Sequence, residues 1–368
     1  MHLHLLGNYK FIQKYPINTF LSGPSMGVCA ATELARKKEI NNFVTFDVGG
    51  TSTDFSFGIN GKVNKMDMKE INGYPLRTQM LDIDTIGIGG GSICKIDDGG
   101  LLKVGPESAG ANPGPVCYGL GNSNPTITDA LLVDNIINKN KKIGDKIKIN
   151  KILSENVLKR YANKKRIKKY DISEGIIKIA LSTLTRSIKK KAAVSGINLN
   201  SCVLMAYGGC GPLLASRMAN ELNIDKIIIP VYPGLFCAFG LLNTDLIKNF
   251  TVSKNIQLKD KNINLITNII KELIKKSNNF FSANKNNKGK RNTNIIFDLK
   301  YVGQNYELKI EFTNNYYKEN IINKLKKEFT EKHENIYGFK INNEIVCVVV
   351  IRLEAKIKIN INTLKNKK

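Results

Sequence analysis

The sequence predicts an α/β fold followed by a small α+β unit, and three observations carry that expectation. Around Thr45–Asp54, TFDVGGTSTD, one apolar run (residues 42–46) and another (residues 55–57) flank a glycine pair. That pattern reads as strand, tight turn, strand, because Gly49 and Gly50 accept a positive φ. Between Ser173 and Ala193, Ile176, Ile177, Ala180, Leu181, Leu184 and Ile188 recur at three and four, the stripe of an amphipathic helix. Finally, the apolar run Ser201–Tyr207 passes through Gly208-Gly209-Cys210-Gly211-Pro212 into a helix starting near Leu213, a strand–turn–helix unit.

The remaining elements follow in order. Residues 1–20 read as a connector to, or remnant of, an upstream domain. Ser22-Gly23-Pro24 opens a turn, and Met26 to Lys37 reads as a helix with Ser22 or Ser25 as N-cap. Leu81–Ile93 carries Gly89-Gly90-Gly91-Ser92, either a loop that wraps a ligand with backbone donors or a plain flexible turn. Val104–Ala130 is punctuated by Gly and Pro, and a loop of that length in a compact domain is usually functional. Its Glu107 and Asp129 are candidates for proton transfer or, equally, for structural capping. Residues 131–170 read as helical pieces joined by lysine-rich loops. The Lys189-Lys190-Lys191 end of the following helix complements its dipole. Ile227–Ile229 reads as a strand and Pro233–Leu242 as a glycine-containing connection. The expected domains are 21–250, a helix and Lys/Asn-rich linker over 251–295, and an α+β unit over 296–368.

The hairpin is also the best candidate site. Gly49 and Gly50 let phosphate oxygens approach backbone N–H groups, Thr51 and Thr53 add hydroxyl donors, and Asp47 and Asp54 can hold Mg²⁺ directly or through water. The plain alternative is a hairpin that merely turns. Gly208, Gly209 and Gly211 offer a second backbone surface on which a nucleotide can lie.

The hairpin resembles the phosphate loops of actin-like (ribonuclease H-like) ATPases, and the rest of the chain narrows the likeness. Ser22-Gly23-Pro24, LDIDTIGIGGGSI at Leu81–Ile93, VGPESAGANPGPVCYG at Val104–Gly119 and PTITDA at Pro125–Ala130 resemble the hydantoinase/oxoprolinase family. So do AYGGCGPL at Ala206–Leu213, VYPGLFCAFGLL at Val231–Leu242, YVGQNYEL at Tyr301–Leu308 and HENIYGF at His333–Phe339. The resemblance implies ATP and Mg²⁺ as cofactors, with Asp47 and Asp54 as catalytic and metal-binding residues. It also implies phosphate contacts at Gly49, Gly50, Thr51 and Thr53, and adenosine contacts at Gly208, Gly209 and Gly211. Substrate contacts are expected at Gly90, Gly91, Ser92, Glu107 and Asp129. The implied reaction is ring opening of a cyclic amide, hydantoin or 5-oxoproline, through phosphorylation of the amide oxygen; a ketone carboxylase subunit is the alternative.

The family carries an earlier Asp-x-Gly-Gly-Thr loop in an upstream domain, and these 368 residues contain one such loop. The expectation is the second half of a two-domain cleft, partnered by an upstream phosphate-loop domain on a separate chain and by a hydantoinase B-type subunit. The family's usual second glycine is replaced by Met26, its histidines by Asp84 and Leu214, its aspartate by Asn112, and its alanine by Cys210. The departures at Met26, Asp84, Asn112 and Leu214 favour a further alternative, a non-catalytic or decayed fragment.

Composition narrows the class. The formal charge of +25 accompanies a joint excess of lysine, asparagine and isoleucine, no tryptophan and no nucleic-acid recognition motif, so specific nucleic-acid binding is not expected. Seven widely spaced cysteines without a CxxC pair read as free thiols of a reducing compartment. His2 and His4 are the one histidine pair close in sequence, which is too few ligands for a structural zinc site. No signal peptide or membrane-spanning run is evident, and a cytoplasmic location without membrane contact is expected.

Overall fold

The structure is a computed structural model that describes residues 13, 16–66, 68–71, 73–76, 80–140, 142–143, 147–165, 169–242, 244–286, 289–313, 321–341 and 344–358. His2, His4 and most of the 1–20 connector lie outside the described residues. The chain divides into two compact units, residues 21–243 and residues 244–368 together with residues 1–20.

The first unit is built on a mixed sheet. Helix α1 (Ser22–Lys37) leads into β1 (Phe43–Val48), β2 (Thr53–Ile59), β3 (Lys62–Val63) and β4 (Asp84–Ile86). The ribbon β5 (Ser92–Ile96) and β6 (Leu102–Ser108) follows, then helices α2 (Ile127–Val133), α3 (Lys151–Lys165) and α4 (Lys169–Val194). Strand β7 (Val203–Tyr207), helix α5 (Gly211–Leu222), strand β8 (Lys226–Ile228) and helix α6 (Phe236–Leu242) complete it. The sheet order is β8-β7-β1-β2-β3, with β4 also paired to β2. Strands β1, β7 and β8 are parallel and β2 runs against β1, the ribonuclease H-like arrangement expected of the actin-like superfamily.

Alternation in β1 sets the layers. Val44, Phe46 and Val48 enter the core formed with α2, α3, α4 and α5, whereas Phe43 packs on the opposite face with Ala30, Ala31, Ala35, Tyr207 and Phe236. Both faces are covered, so β7 is apolar and buried at every position. The stripe expected over Ser173–Ala193 is real: Ile176, Ile177, Ala180, Leu184 and Ile188 are fully buried in α4. Small residues let α1 and α6 close on the sheet and on each other. A Cβ on Gly27 would lie 2.6 Å from the Tyr207 ring, and one on Gly240 only 1.9 Å from the Met26 carbonyl oxygen.

Four local expectations are corrected. Helix α1 begins at Ser22 behind Leu21, whose φ is 55° and which gives no side-chain cap, so neither Ser22 nor Ser25 is the N-cap. The span 131–170 contains a hairpin, Lys142–Ile143 with Ile147–Lys148, as well as helix. Val104–Ala130 is no bare loop, because β6 reaches Ser108, a 3-10 turn occupies Val116–Tyr118 and α2 begins at Ile127. Lastly, strand β9 (Leu246–Gln257) runs straight across position 250 into the span assigned to helix and linker.

In the second unit β9 joins β10 (Arg291–Tyr301), β11 (Leu308–Thr313) and β12 (Val346–Ile357) in an antiparallel sheet ordered β9-β12-β10-β11. Helices α7 (Ile263–Ala283) and α8 (Ile321–Tyr337) bury Ile266, Ile270, Leu273, Leu325 and Phe329 in the same core as Phe297, Leu299 and Val348. His333 explains two C-terminal motifs at once. It is buried, its Nδ1 bonds the Phe339 carbonyl oxygen at 2.9 Å, and its Nε2 lies 3.1 Å from the Gln304 amide nitrogen. Among the described residues no helix is long and apolar enough to cross a membrane.

Candidate functional site: two acids and two glycine turns

Asp47 and Asp54 are direct cross-strand partners in β1 and β2, and opposed residues of an antiparallel pair project to the same face. The tip between them is closed by the Gly49 N–H donating to the Ser52 carbonyl oxygen (3.0 Å). Gly50 and Thr51 are exposed at the tip. On the other side of β1, the parallel strand β7 sets Tyr207 beside Asp47 and then turns through Gly208 and Gly209 into α5. Gly208 has φ +80°, and a Cβ there would sit 2.3 Å from Asp47 Oδ1. The Cys210 N–H donates to the Val48 carbonyl oxygen at 2.9 Å, so the two glycine-bearing turns lie side by side. Added Cβ atoms on Gly50 and Gly209 would meet nothing within 4 Å, while one on Gly211 would come within 3.1 Å of the Phe46 carbonyl oxygen. The open space therefore lies over Gly50 and Gly209.

Among the described residues each acid has one side-chain donor. Cys237 Sγ of α6 is 3.1 Å from Asp47 Oδ2, and the Thr85 hydroxyl of β4 donates to Asp54 Oδ1 at 2.5 Å. Burial pushes the Asp47 carboxyl above the usual range against the Cys237 hydrogen bond, and the Asp54 charge pushes it the same way. Burial also raises Asp54, against the Thr85 hydrogen bond and the Lys69 charge. A cation held between the two acids would offset the burial that raises both carboxyls. Burial and both carboxylates push the Cys237 thiol up, so it acts as a donor here and not as a thiolate. Burial likewise raises Cys210 to about 11.

The Gly89–Ser92 run lies behind this hairpin and turns its backbone donors toward it. Gly90 N–H donates to the Gly49 carbonyl oxygen (2.9 Å) and Gly91 N–H to that of Gly50 (2.6 Å). A Cβ on Gly89 would come within 2.8 Å of the tip backbone, and one on Gly90 within 2.4 Å of Cys210 Sγ. Ser92 is wholly buried and accepts the Gly89 N–H at 2.9 Å. Gly90, Gly91 and Ser92 thus buttress the Gly49–Thr51 tip, a packing role in place of the expected substrate contacts. Thr53 is corrected too: it is wholly buried and its hydroxyl donates to the Ile88 carbonyl oxygen at 2.5 Å, so Thr51 is the exposed hydroxyl.

Asp129 is wholly buried and accepts from five donors, the N–H groups of Val116, Cys117 and Thr126 and the hydroxyls of Thr126 and Ser154. It forms a capping box with Thr126 at the start of α2. Of the two readings left open, capping is the one the geometry adopts. Glu107 is exposed on β6 and pairs with Lys95 (2.5 Å), an ion pair of little energetic weight. Leu214 is packed in the core, Asn112 is exposed, and Asp84 pairs with Lys69 and Lys191. Cys237 and Thr85 were missed. They lie 190 and 31 residues from the acids they touch, and the only signal in the sequence is that both fall inside quoted motif blocks.

Residues 6–250 match the Hydantoinase/oxoprolinase family. The chain belongs to that family. An uncharacterised protein of Methanocaldococcus jannaschii is 33% identical over 364 residues, covering 95% of this chain and 51% of the relative. Caprolactamase subunit alpha of Pseudomonas jessenii is 28% identical over 352 residues, 92% of this chain and 50% of that one. The crystal structure of the ATP-dependent caprolactamase from that organism matches with TM-score 0.67 at 26% identity, over 92% of this chain and 49% of that chain. Nucleotide-free acetone carboxylase matches with TM-score 0.81 at 23% identity, over 93% and 50%, a likeness of fold alone. This chain thus spans about half the length of the curated relatives it matches. The first unit is an actin-like ATPase domain in fold.

Proposed function

We propose that this chain is a subunit of an ATP-dependent hydrolase that opens cyclic amides such as hydantoin or 5-oxoproline by phosphorylating the amide oxygen. The observation that carries the reading is the facing pair Asp47 and Asp54, set beneath two glycine turns with open space over Gly50 and Gly209. The tip of the hairpin offers backbone and Thr51 hydroxyl donors to phosphate oxygens, and the turn at Gly208–Gly211 receives the adenosine. The donor set suits Mg²⁺, which takes one or two carboxylates plus substrate phosphates and keeps its remaining waters. No cluster of three or more His, Cys, Asp or Glu side chains able to hold a metal occurs among the described residues. Bound Mg²⁺ supplies charge neutralisation on the phosphoryl group under transfer.

The chemistry follows from the poor electrophilicity of an amide carbon. Attack of the amide oxygen on the γ-phosphorus breaks the bond to the β,γ-bridging oxygen and releases ADP. The resulting imidate-like carbon accepts water, opening of the C–N bond frees the amine and leaves an acyl phosphate, and a second water hydrolyses that to carboxylate and phosphate. The names of the relatives support the substrate class: caprolactam and 5-oxoproline are both cyclic amides. They also name subunits, so the reaction is proposed for an assembly of several chains in which a hydantoinase B-type chain is a partner. The free thiols of Cys94, Cys117, Cys202, Cys210 and Cys347 favour a cytoplasmic setting.

In that assembly, ADP release should depend on an added cyclic amide and match the ring-opened amino acid measured by mass spectrometry. ADP release driven by a ketone and bicarbonate instead, with no ring opening, would contradict the proposal.

A further inference from the structure

We infer that Thr85 is a positioning residue for the cation site, fixing Asp54 so that its second oxygen and Asp47 Oδ1 converge on one ion. The inference rests on the proposed cation role of the two acids. It starts from an asymmetry in how the carboxylates are held. Asp47 is locked on two sides, by the Cys237 thiol on Oδ2 and by the close approach of the Gly208 backbone to Oδ1. Among the described residues Asp54 has one side-chain donor, the Thr85 hydroxyl, which takes Oδ1. A carboxylate that wobbles is a poorer ligand than one held by an outer partner.

Thr85 is itself held unusually well for an exposed residue on a three-residue strand. Backbone pairing places it directly opposite Asp54, so its hydroxyl reaches the acid without a detour. Its neighbour Asp84 pairs with Lys69 (3.4 Å) and with Lys191 of α4 (3.3 Å), and Lys191 also takes Asp82 at 2.8 Å. Lys69 further donates to the Ile83 carbonyl oxygen. Two lysines from two different elements thus clamp the chain at Asp82, Ile83 and Asp84, immediately before the threonine. The Lys69 charge also acts on Asp54. The clamp spends partly buried ion pairs on a short edge strand that contributes little apolar core. That use makes sense if the strand's task is to present Thr85.

The test uses the full chain and Mn²⁺ as the probe ion, titrated by electron paramagnetic resonance with and without ADP. Thr85→Val removes the hydroxyl at constant shape, and valine suits an exposed strand position, so folding should survive. Losing an outer-shell partner typically weakens metal affinity by about 10–100-fold, and solvent exposure of Thr85 places the expectation near ~10-fold. Thr85→Ser, which keeps the donor, should stay within about 3-fold of the natural protein by the same reasoning. Partial unfolding would show as fewer Mn²⁺ sites at unchanged affinity, which separates it from the expected result. Wild-type affinity in Thr85→Val, together with loss of binding in Asp54→Asn, would overturn this inference and leave the carboxylate site standing. No Mn²⁺ binding by the natural chain, or binding indifferent to Asp54→Asn, would overturn both.

Discussion

Asp47→Asn lowers turnover of the assembled enzyme by about 100-fold or more, yet leaves the melting temperature of the chain unchanged or higher. The loss follows because an amide is a weak cation ligand, and removing one preorganised electrostatic group from a phosphoryl-transfer site typically costs ~10²–10³ in rate. The stability follows from the sign of the linkage. Burial first, and the Asp54 charge after it, hold the Asp47 pKa in the folded chain above its ordinary value. The folded state therefore binds that proton more tightly than the unfolded state. Stability falls as pH rises from the ordinary carboxylate pKa, about 4, through the raised value, and the loss persists at neutral pH. Asparagine carries no charge to bury, keeps an acceptor for the Cys237 thiol, and removes this penalty. Thermal melts from pH 4 to 8 should therefore show a falling stability in the natural chain and a flatter profile in the variant. A collapsed melt with normal activity per folded molecule would make Asp47 a structural residue.

Asp129→Ala should do the reverse, because its carboxylate ties three parts of the first unit together. It holds the Val116–Cys117 turn, the start of α2 at Thr126, and Ser154 of α3, all away from water. Alanine strands five buried donors, and leaving a hydrogen-bonded network without its charged centre typically costs about 3–5 kcal/mol. For a unit of this size that corresponds to a melting temperature lower by roughly 6–20 °C. Differential scanning calorimetry measures it directly. A change of less than about 2 °C would mean that the capping box is dispensable and would reopen Asp129 as a reacting group.

What the sequence could reveal depended on whether the relevant physics was local. The hairpin is legible because two apolar runs bracket it within a dozen positions, although neither Gly49 nor Gly50 takes the expected positive φ, and α4 is legible because its stripe repeats on its own helix. The Gly89–Ser92 run was legible as special but not as to its purpose. Glycines that admit a ligand and glycines that admit a neighbouring backbone look identical until Gly50 is seen against Gly89. Thr53 failed for a related reason: alternation alone places it on the inner face of β2, and its hydroxyl was counted without asking which face it occupied. For Asp129 the sequence leaves proton transfer and capping equally open, and only the five donors around its carboxylate decide for the capping box with Thr126. Contacts such as Cys237 with Asp47 depend on how α6 crosses α1 over the sheet, and no local pattern encodes them.

The central claim is that a nucleotide lies against both glycine turns, and Gly50→Ala with Gly209→Ala tests it most directly. At both positions a methyl group meets no protein atom within 4 Å, and neither glycine has a left-handed φ. The fold therefore has no reason to object, and a reduced unfolded-state entropy even favours alanine slightly. A ligand lying on those backbones would lose its close approach. Titration calorimetry of the doubly substituted chain with ATP and Mg²⁺ should give an affinity weaker by about 10-fold or more, equivalent to ~1.4 kcal/mol, at an unchanged melting temperature. ATP affinity equal to that of the natural chain would place the nucleotide elsewhere and contradict the account.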